Sequence, residues 1–111
     1  MEFELYHLIV YVPETHADAM RKALSIAGAG KIGKYDSCSF SMKGAGRFRP
    51  LKGAKPAIGS EDTLEEVTEE RIEVVVKRDQ LKLVLHEIKR VHPYEEAAIH
   101  VLPMMDYHDF L

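Results

Sequence analysis

Cysteine is nearly absent from this chain. Cys38 stands alone, which excludes an internal disulfide and fits a reducing compartment. Long apolar runs are missing too: nothing approaches the ~18 consecutive apolar residues that a membrane-spanning helix needs. The start, Met1-Glu2-Phe3-Glu4, is acidic and leads into a strand pattern, so it lacks the basic region and cleavage site of a secretory signal. Neither charge sign is in large excess. The formal net charge of −3 gives no whole-chain reason to expect nucleic-acid binding. No Cys-x-x-Cys or His-Glu-x-x-His pairing occurs, so a strong metal signature is missing. Ser37, Ser39 and Ser41 have no histidine–acid pair assignable to them, which points away from an enzyme working by nucleophilic attack. These absences describe a soluble cytoplasmic protein with no membrane segment.

What is present is one domain's worth of core: 111 residues, 46% apolar and 30% charged. Residues 3–12 are rich in aromatic and β-branched types and read as a strand with two largely apolar faces. Thr15 and Asp18 have the spacing of a capping box, and Ala17, Met20, Leu24 and Ala27 follow at helical intervals until Gly28 and Gly30. Gly28-Ala-Gly-Lys-Ile-Gly33 matches the dinucleotide fingerprint, but it follows a helix instead of opening one, so phosphate binding by that route is rejected. Residues 35–42 alternate, placing Cys38, Phe40 and Met42 on one face as small or large hydrophobes. Gly44 to Gly53 carries a short strand, with Pro50 putting it at an edge or bulge.

Residues 61–70 are acidic. Arg71–Lys77 is the next strand, with Ile72, Val74 and Val76 on one face. Asp79 is placed to cap a second helix that turns Leu81, Val84, Leu85, Ile88 and Val91 inward. Residues 97–102 read as a last strand closed by Pro103. The order strand, helix, strand with an extra β-hairpin, strand, helix, strand is an α+β, ferredoxin-like split βαβ sandwich. Its two helices cover one sheet face and leave the other bare. A bare apolar face is what a soluble monomer avoids, so an oligomer with packed sheets is expected. The domain spans 1–104, with 105–111 as a C-terminal tail.

Between the second helix and the last strand lies His92-Pro-Tyr-Glu-Glu96, where Pro93 turns the chain and gathers an imidazole, a phenol and two carboxylates on one bend. A divalent ion, zinc or copper, is one reading: His92, Glu95 and Glu96 supply ligands, joined by Cys38, His7 or His100 from the fold or a second copy. The competing reading is structural, with His92 and Glu95 making local hydrogen bonds while Tyr94 packs. Charge adds a further alternative. Lys31, Lys34, Lys43, Arg47, Arg49, Lys52 and Lys55 face a single acid, Asp36, whereas residues 61–73 hold seven carboxylates and one base. A basic hairpin of this kind suits nucleic-acid phosphates, but neutralisation by the neighbouring acidic stretch is favoured over it.

Gly28-Ala-Gly-Lys-Ile-Gly-Lys-Tyr-Asp-Ser-Cys-Ser-Phe-Ser, with Gly46-Arg-Phe-Arg-Pro-Leu-Lys-Gly-Ala-Lys-Pro-Ala-Ile-Gly59, resembles the insert domain of the Nif-three-like family, here in stand-alone form. Val12-Pro-Glu-Thr-His-Ala, Glu69-Glu-Arg-Ile-Glu and His92-Pro-Tyr-Glu-Glu extend the resemblance over most of residues 3–103. The His-Pro-Tyr-Glu element is also similar to the matching corner of the CutA divalent-ion tolerance proteins. The resemblance implies a PII/CutA-like homotrimer with sheets facing the centre, acting as a binding or regulatory module. It places a ligand in a cleft between subunits lined by His92, Tyr94, Glu95, Arg47 and Arg49. A CutA-like metal-binding protein and a purely structural oligomerisation domain are the alternatives. Ala97 stands where those families usually carry proline. The dinuclear metal ligands of the Nif-three-like host domain have no counterpart to transfer to.

Overall fold

The strand read from residues 3–12 is realised as β1, Leu5–Pro13, of the computed structural model, which describes residues 3–111. Met1 and Glu2, the first half of the acidic start, lie outside the described residues. The other elements are α1 (Ala17–Ile26), β2 (Phe40–Phe48), β3 (Glu65–Lys77), α2 (Arg78–Val91) and β4 (Ile99–Met104). The four strands form one sheet in the order β2-β3-β1-β4, every neighbouring pair antiparallel. This is the ferredoxin-like split βαβ arrangement, with β1 in the interior of the sheet. No helix among the described residues is long and apolar enough to cross a membrane.

Strand periodicity decides which residues meet the helices. Leu8, Val10 and Val12 on β1 line up with Val74, Ile72 and Glu70 on β3. The apolar members of that row are buried against Met20 and Leu24 of α1 and Val84 and Ile88 of α2. Each such side chain contributes about 1.5–3 kcal/mol relative to exposure. Leu81, Leu85 and Val91 pack at the margin of this core.

Alternate residues face the other way, where no helix lies. Here Glu73 is flanked by His7, whose Nε2 is 2.8 Å from its Oε1, and by Arg71, whose Nε is 3.4 Å from its Oε2. Arg71 lies over the Tyr11 ring at 5.8 Å, and Tyr11 meets His100 edge-on at 5.5 Å. Around this polar centre, Phe40 (61% exposed), Met42 and Leu102 lie open to solvent.

Several local expectations are corrected. Thr15 and Asp18 form no capping box. A single 3-10 turn, Glu14–His16, leads into α1; Thr15 Oγ1 bonds His16 Nδ1 and Asp18 accepts from Arg21. Asp79 sits in the first turn of α2, and the cap is Lys77 in extended conformation with no side-chain bond. Residues 35–39 are loop: a tight turn closed by mutual Ile32–Tyr35 backbone bonds reverses the chain, and the residues after it run back past Gly30, where Cys38 N–H donates to Gly30 O. Cys38 therefore lies before β2 and not on it, and Phe40 and Met42 turn to the open face. The acidic residues 65–70 are strand, continuous with 71–77, and the extra hairpin takes the form of the distal halves of β2 and β3. Pro103 lies inside β4, tolerated because β4 is an edge strand.

The glycine motif has a structural explanation. Ala29 N–H donates to Leu24 O and Gly28 N–H to Ser25 O, a Schellman closure that requires the positive φ of Gly28. Two residues on, Gly30 has φ +79° and lies so close to the Cys38 backbone that a Cβ would sit 2.5 Å from its carbonyl oxygen.

Candidate functional site

At the end of α2 the chain turns because Pro93 forbids helical continuation, and His92 takes φ −66° and ψ 131° while its N–H still closes on Ile88 O at 2.8 Å. The His92 ring is buried. Its Nδ1 accepts the Tyr94 backbone N–H at 3.1 Å, so the remaining proton resides on Nε2 and is donated to Tyr11 O at 2.7 Å. Burial holds the imidazole below its usual pKa, outweighing the opposing effect of the Tyr11 hydrogen bond, and nearby His16 and Lys89 push the same way. His92 is thus a neutral clamp between the corner and β1.

The Tyr94 ring packs at a tilt against the His92 ring at 5.1 Å and against Phe48, the last residue of β2, at 5.5 Å. Beyond it opens a cleft of about 260 Å³. Phe48, Tyr94 and Tyr11 form its aromatic side, and Pro50, Pro56 and Ile58 of the β2–β3 loop form the opposite wall. The loop is tied to the corner by Lys55 N–H, which donates to Glu95 Oε1 at 2.9 Å, and closed on itself by Asp62 N–H to Pro50 O at 2.7 Å.

Glu69 lines the cleft from β3. Its carboxylate lies over Gly46, in space that a Cβ there would fill. Burial raises its pKa above the ordinary carboxylate value, partly offset by Tyr94. The Tyr94 hydroxyl is pushed up to about 12, first by burial and then by the Glu69 charge and attraction to that carboxylate. The hydroxyl is itself buried and falls short of hydrogen-bond geometry with any partner, Glu69 included.

Of the residues singled out from sequence, Arg47, Arg49, Tyr94, Glu95 and Glu96 all line this cleft, while His92 stands behind Tyr94. The metal quartet is not assembled within one chain. Both His92 ring nitrogens are engaged, and Cys38 lines a separate groove beside α1 with Arg21, Ser25 and Ser37. Among the described residues no three histidine, cysteine or acidic side chains converge as a metal set. Glu69, Phe48 and Tyr11 were missed as cleft residues. The available signal was Gly46 with Glu69 near the far end of a hairpin, legible only once the β2–β3 register is known. The basic and acidic stretches meet at Arg47 and Glu66, 3.6 Å apart, whereas Lys43 pairs with Glu14 at 3.6 Å and Glu70 with Arg21 at 2.6 Å, partners that lie outside those stretches.

Comparison with known proteins now places the chain. No protein-family model matches it. It is 46% identical over 100 residues to the GTP cyclohydrolase 1 type 2 homolog of Halalkalibacterium halodurans, covering 90% of this chain and 27% of that protein. A Bacillus cereus protein related to NIF3 superposes with a TM-score of 0.81 at 40% identity, over 94% of this chain and 26% of that one. The chain is homologous to one segment of the NIF3-related proteins. It spans about a quarter of the length of these relatives. The Nif-three-like resemblance read from the glycine motif and the His92 corner is borne out.

The NIF3-like segment also has the CutA fold. The periplasmic divalent cation tolerance protein CutA of Archaeoglobus fulgidus superposes with a TM-score of 0.68 over 96% of this chain and 91% of its own, at 19% identity. At that identity the likeness carries the fold alone. The ferredoxin-like class expected from the strand order and the PII/CutA-like type implied by the resemblance are therefore both correct.

Proposed function

We propose that this NIF3-like segment is a small cytoplasmic binding or regulatory module, a homotrimer joined through its open sheet face, and not an enzyme. Its ligand site is the cleft between the His92–Glu96 corner and the β2–β3 loop, completed by a neighbouring copy. The observation that carries the assembly is the bare face itself. Phe40, Met42 and Leu102 are exposed on the side of the sheet that no helix covers, in a domain too thin to cover both sides. The cleft reading is supported by concavity, aromatic walls and an unpaired carboxylate arriving from separate elements. The cyclohydrolase name of the relatives belongs to proteins more than three times as long and is not carried over.

Divalent-metal binding remains the second reading because solved relatives of the same fold are named for divalent cation tolerance. With both His92 nitrogens occupied, an ion would need side chains from two copies. A purely structural oligomerisation role is the third.

Native mass spectrometry of the chain, at low and high salt and with added zinc or copper, separates these. A metal-free trimer that becomes monomeric in Phe40→Glu fits the proposal. Stoichiometric metal favours the second reading, and a stable wild-type monomer sinks the assembly.

A further inference from the structure

Glu69 is the odd group in the cleft, because it is a half-buried carboxylate that forms no ion pair among the described residues. Three other carboxylates on the strand have cationic partners: Glu70 has Arg21, Glu66 has Arg47 and Glu73 has Arg71. Glu69 makes no ion pair among the described residues, and its proton affinity is raised by burial, as expected of a carboxylate left without a cation. What surrounds it is aromatic. The Tyr94 and Phe48 rings meet at 5.5 Å beside it, and Gly46 supplies the missing Cβ that lets the carboxylate lie against the strand.

Ring faces carry negative quadrupole potential, and a carboxylate beside them adds a full negative charge. An anion entering here would meet Glu69, Glu95 and Glu96 beyond the exposed Arg47 and Arg49, and a neutral ring would leave the half-buried Glu69 unpaired. Only a cation satisfies both the rings and the acid. We infer that the cleft takes an organic cation, an alkyl- or arylammonium group whose charge lies between the Glu69 carboxylate and the rings of Phe48 and Tyr94.

The size limit is consistent with a ligand of about one ring, since 260 Å³ lies just under the ~300 Å³ at which pockets for drug-sized molecules begin. Arg47 and Arg49 oppose a cation, but both are exposed and Arg47 is engaged with Glu66 at 3.6 Å. Their effect is a screened penalty on approach, so removing Arg49 should tighten binding. Glu95 already accepts the Lys55 N–H and is the less available acid.

This inference rests on the cleft reading proposed above, and its test tells the two apart. An amide-resolved NMR titration would compare benzyltrimethylammonium, benzyl alcohol and benzenesulfonate on the wild-type chain, Glu69→Gln and Arg49→Gln. The expected result is saturable movement of the Gly46, Phe48, Glu69 and Tyr94 amides by the ammonium probe alone. Affinity should fall about tenfold in Glu69→Gln and rise in Arg49→Gln, with signal dispersion showing that both variants are folded. If benzyl alcohol or benzenesulfonate moves the same amides as strongly, or neither variant changes the ammonium affinity, the cleft stands as a site and the cation inference is overturned. If no probe moves those amides, both fall.

Discussion

The Nε2–H of His92 is donated to the carbonyl of Tyr11 across 2.7 Å, joining the end of α2 to β1 over a sequence separation of 81. Because Nδ1 accepts the Tyr94 N–H at the same time, the clamp exists only while the ring is neutral in one tautomer. Truncation in His92→Ala leaves a buried carbonyl and a backbone N–H without partners, a loss of about 1–3 kcal/mol by thermal or denaturant unfolding. The pH dependence follows from the lowered pKa. Unfolded His92 binds a proton near 6.5 and folded His92 binds it only at lower pH. The stability it contributes is complete above 6.5 and is lost as pH falls through the folded value. The melting temperature should drop on acidification from pH 7.5 to 5.5, and His92→Gln should flatten that drop.

Glu69 runs the other way. Its folded pKa lies above the ordinary 4.5, so the folded state prefers the protonated acid, and stability is lost as pH rises through the raised value. Glu69→Gln removes the charge while keeping the shape. Its melting temperature should match or exceed wild type at pH 7, and the difference should vanish at pH 4. A variant less stable at pH 7 would mean that the carboxylate has a stabilising partner, and would undercut its assignment to a ligand.

The fold was legible because its signals are local and periodic. Ile72, Val74 and Val76, or Met20 and Leu24, announce a buried face without reference to anything distant. The His92 bend was legible through Pro93. What could not be read was pairing. Phe40 and Met42 share one strand face with each other, but which side of the sheet that face meets depends on their register with Glu73 and Arg71. Arg47, Arg49, Tyr94 and Glu95 came from resemblance, whereas Glu69 needed the hairpin to be folded before its burial could be known. Cys38 was misplaced for a related reason. The residues that follow the tight turn at 32–35 alternate like a strand but run as loop back past Gly30.

Two glycines of one motif should behave differently. At Gly30, φ is +79° and a Cβ would press on the Cys38 backbone, which cannot rotate away because Cys38 N–H is bonded to Gly30 O at 2.9 Å. At Gly33, φ is +57° and a Cβ would meet nothing within 4 Å. Gly30→Ala therefore carries both conformational strain and a clash, about 2–4 kcal/mol, and Gly33→Ala only the left-handed penalty of about 1–2 kcal/mol. Chemical denaturation of both variants checks the ranking. Equal losses would mean that the close approach at Gly30 relaxes.

Arg21 makes three contacts of unequal worth, two from α1 to the sheet and one within the helix. Its Nη1 donates to Glu70 Oε1 at 2.6 Å and to Ser41 Oγ at 3.1 Å, and its Nη2 donates to Asp18 Oδ1 at 2.6 Å. Asp18 is fully exposed and contributes little, since water replaces it. Glu70 is 9% exposed on the helix side of β3, so removing its partner strands a buried charge. Arg21→Met should cost about 1–3 kcal/mol, discounted because the guanidinium still reaches solvent, and Asp18→Ala should change stability far less. The double variant Arg21→Met with Glu70→Gln should recover part of the loss, because the buried charge goes with its partner. Salt separates the two pairs further. High ionic strength should erase the small Asp18 effect and leave most of the Arg21–Glu70 coupling measurable in a double-mutant cycle, since the less accessible pair is screened less.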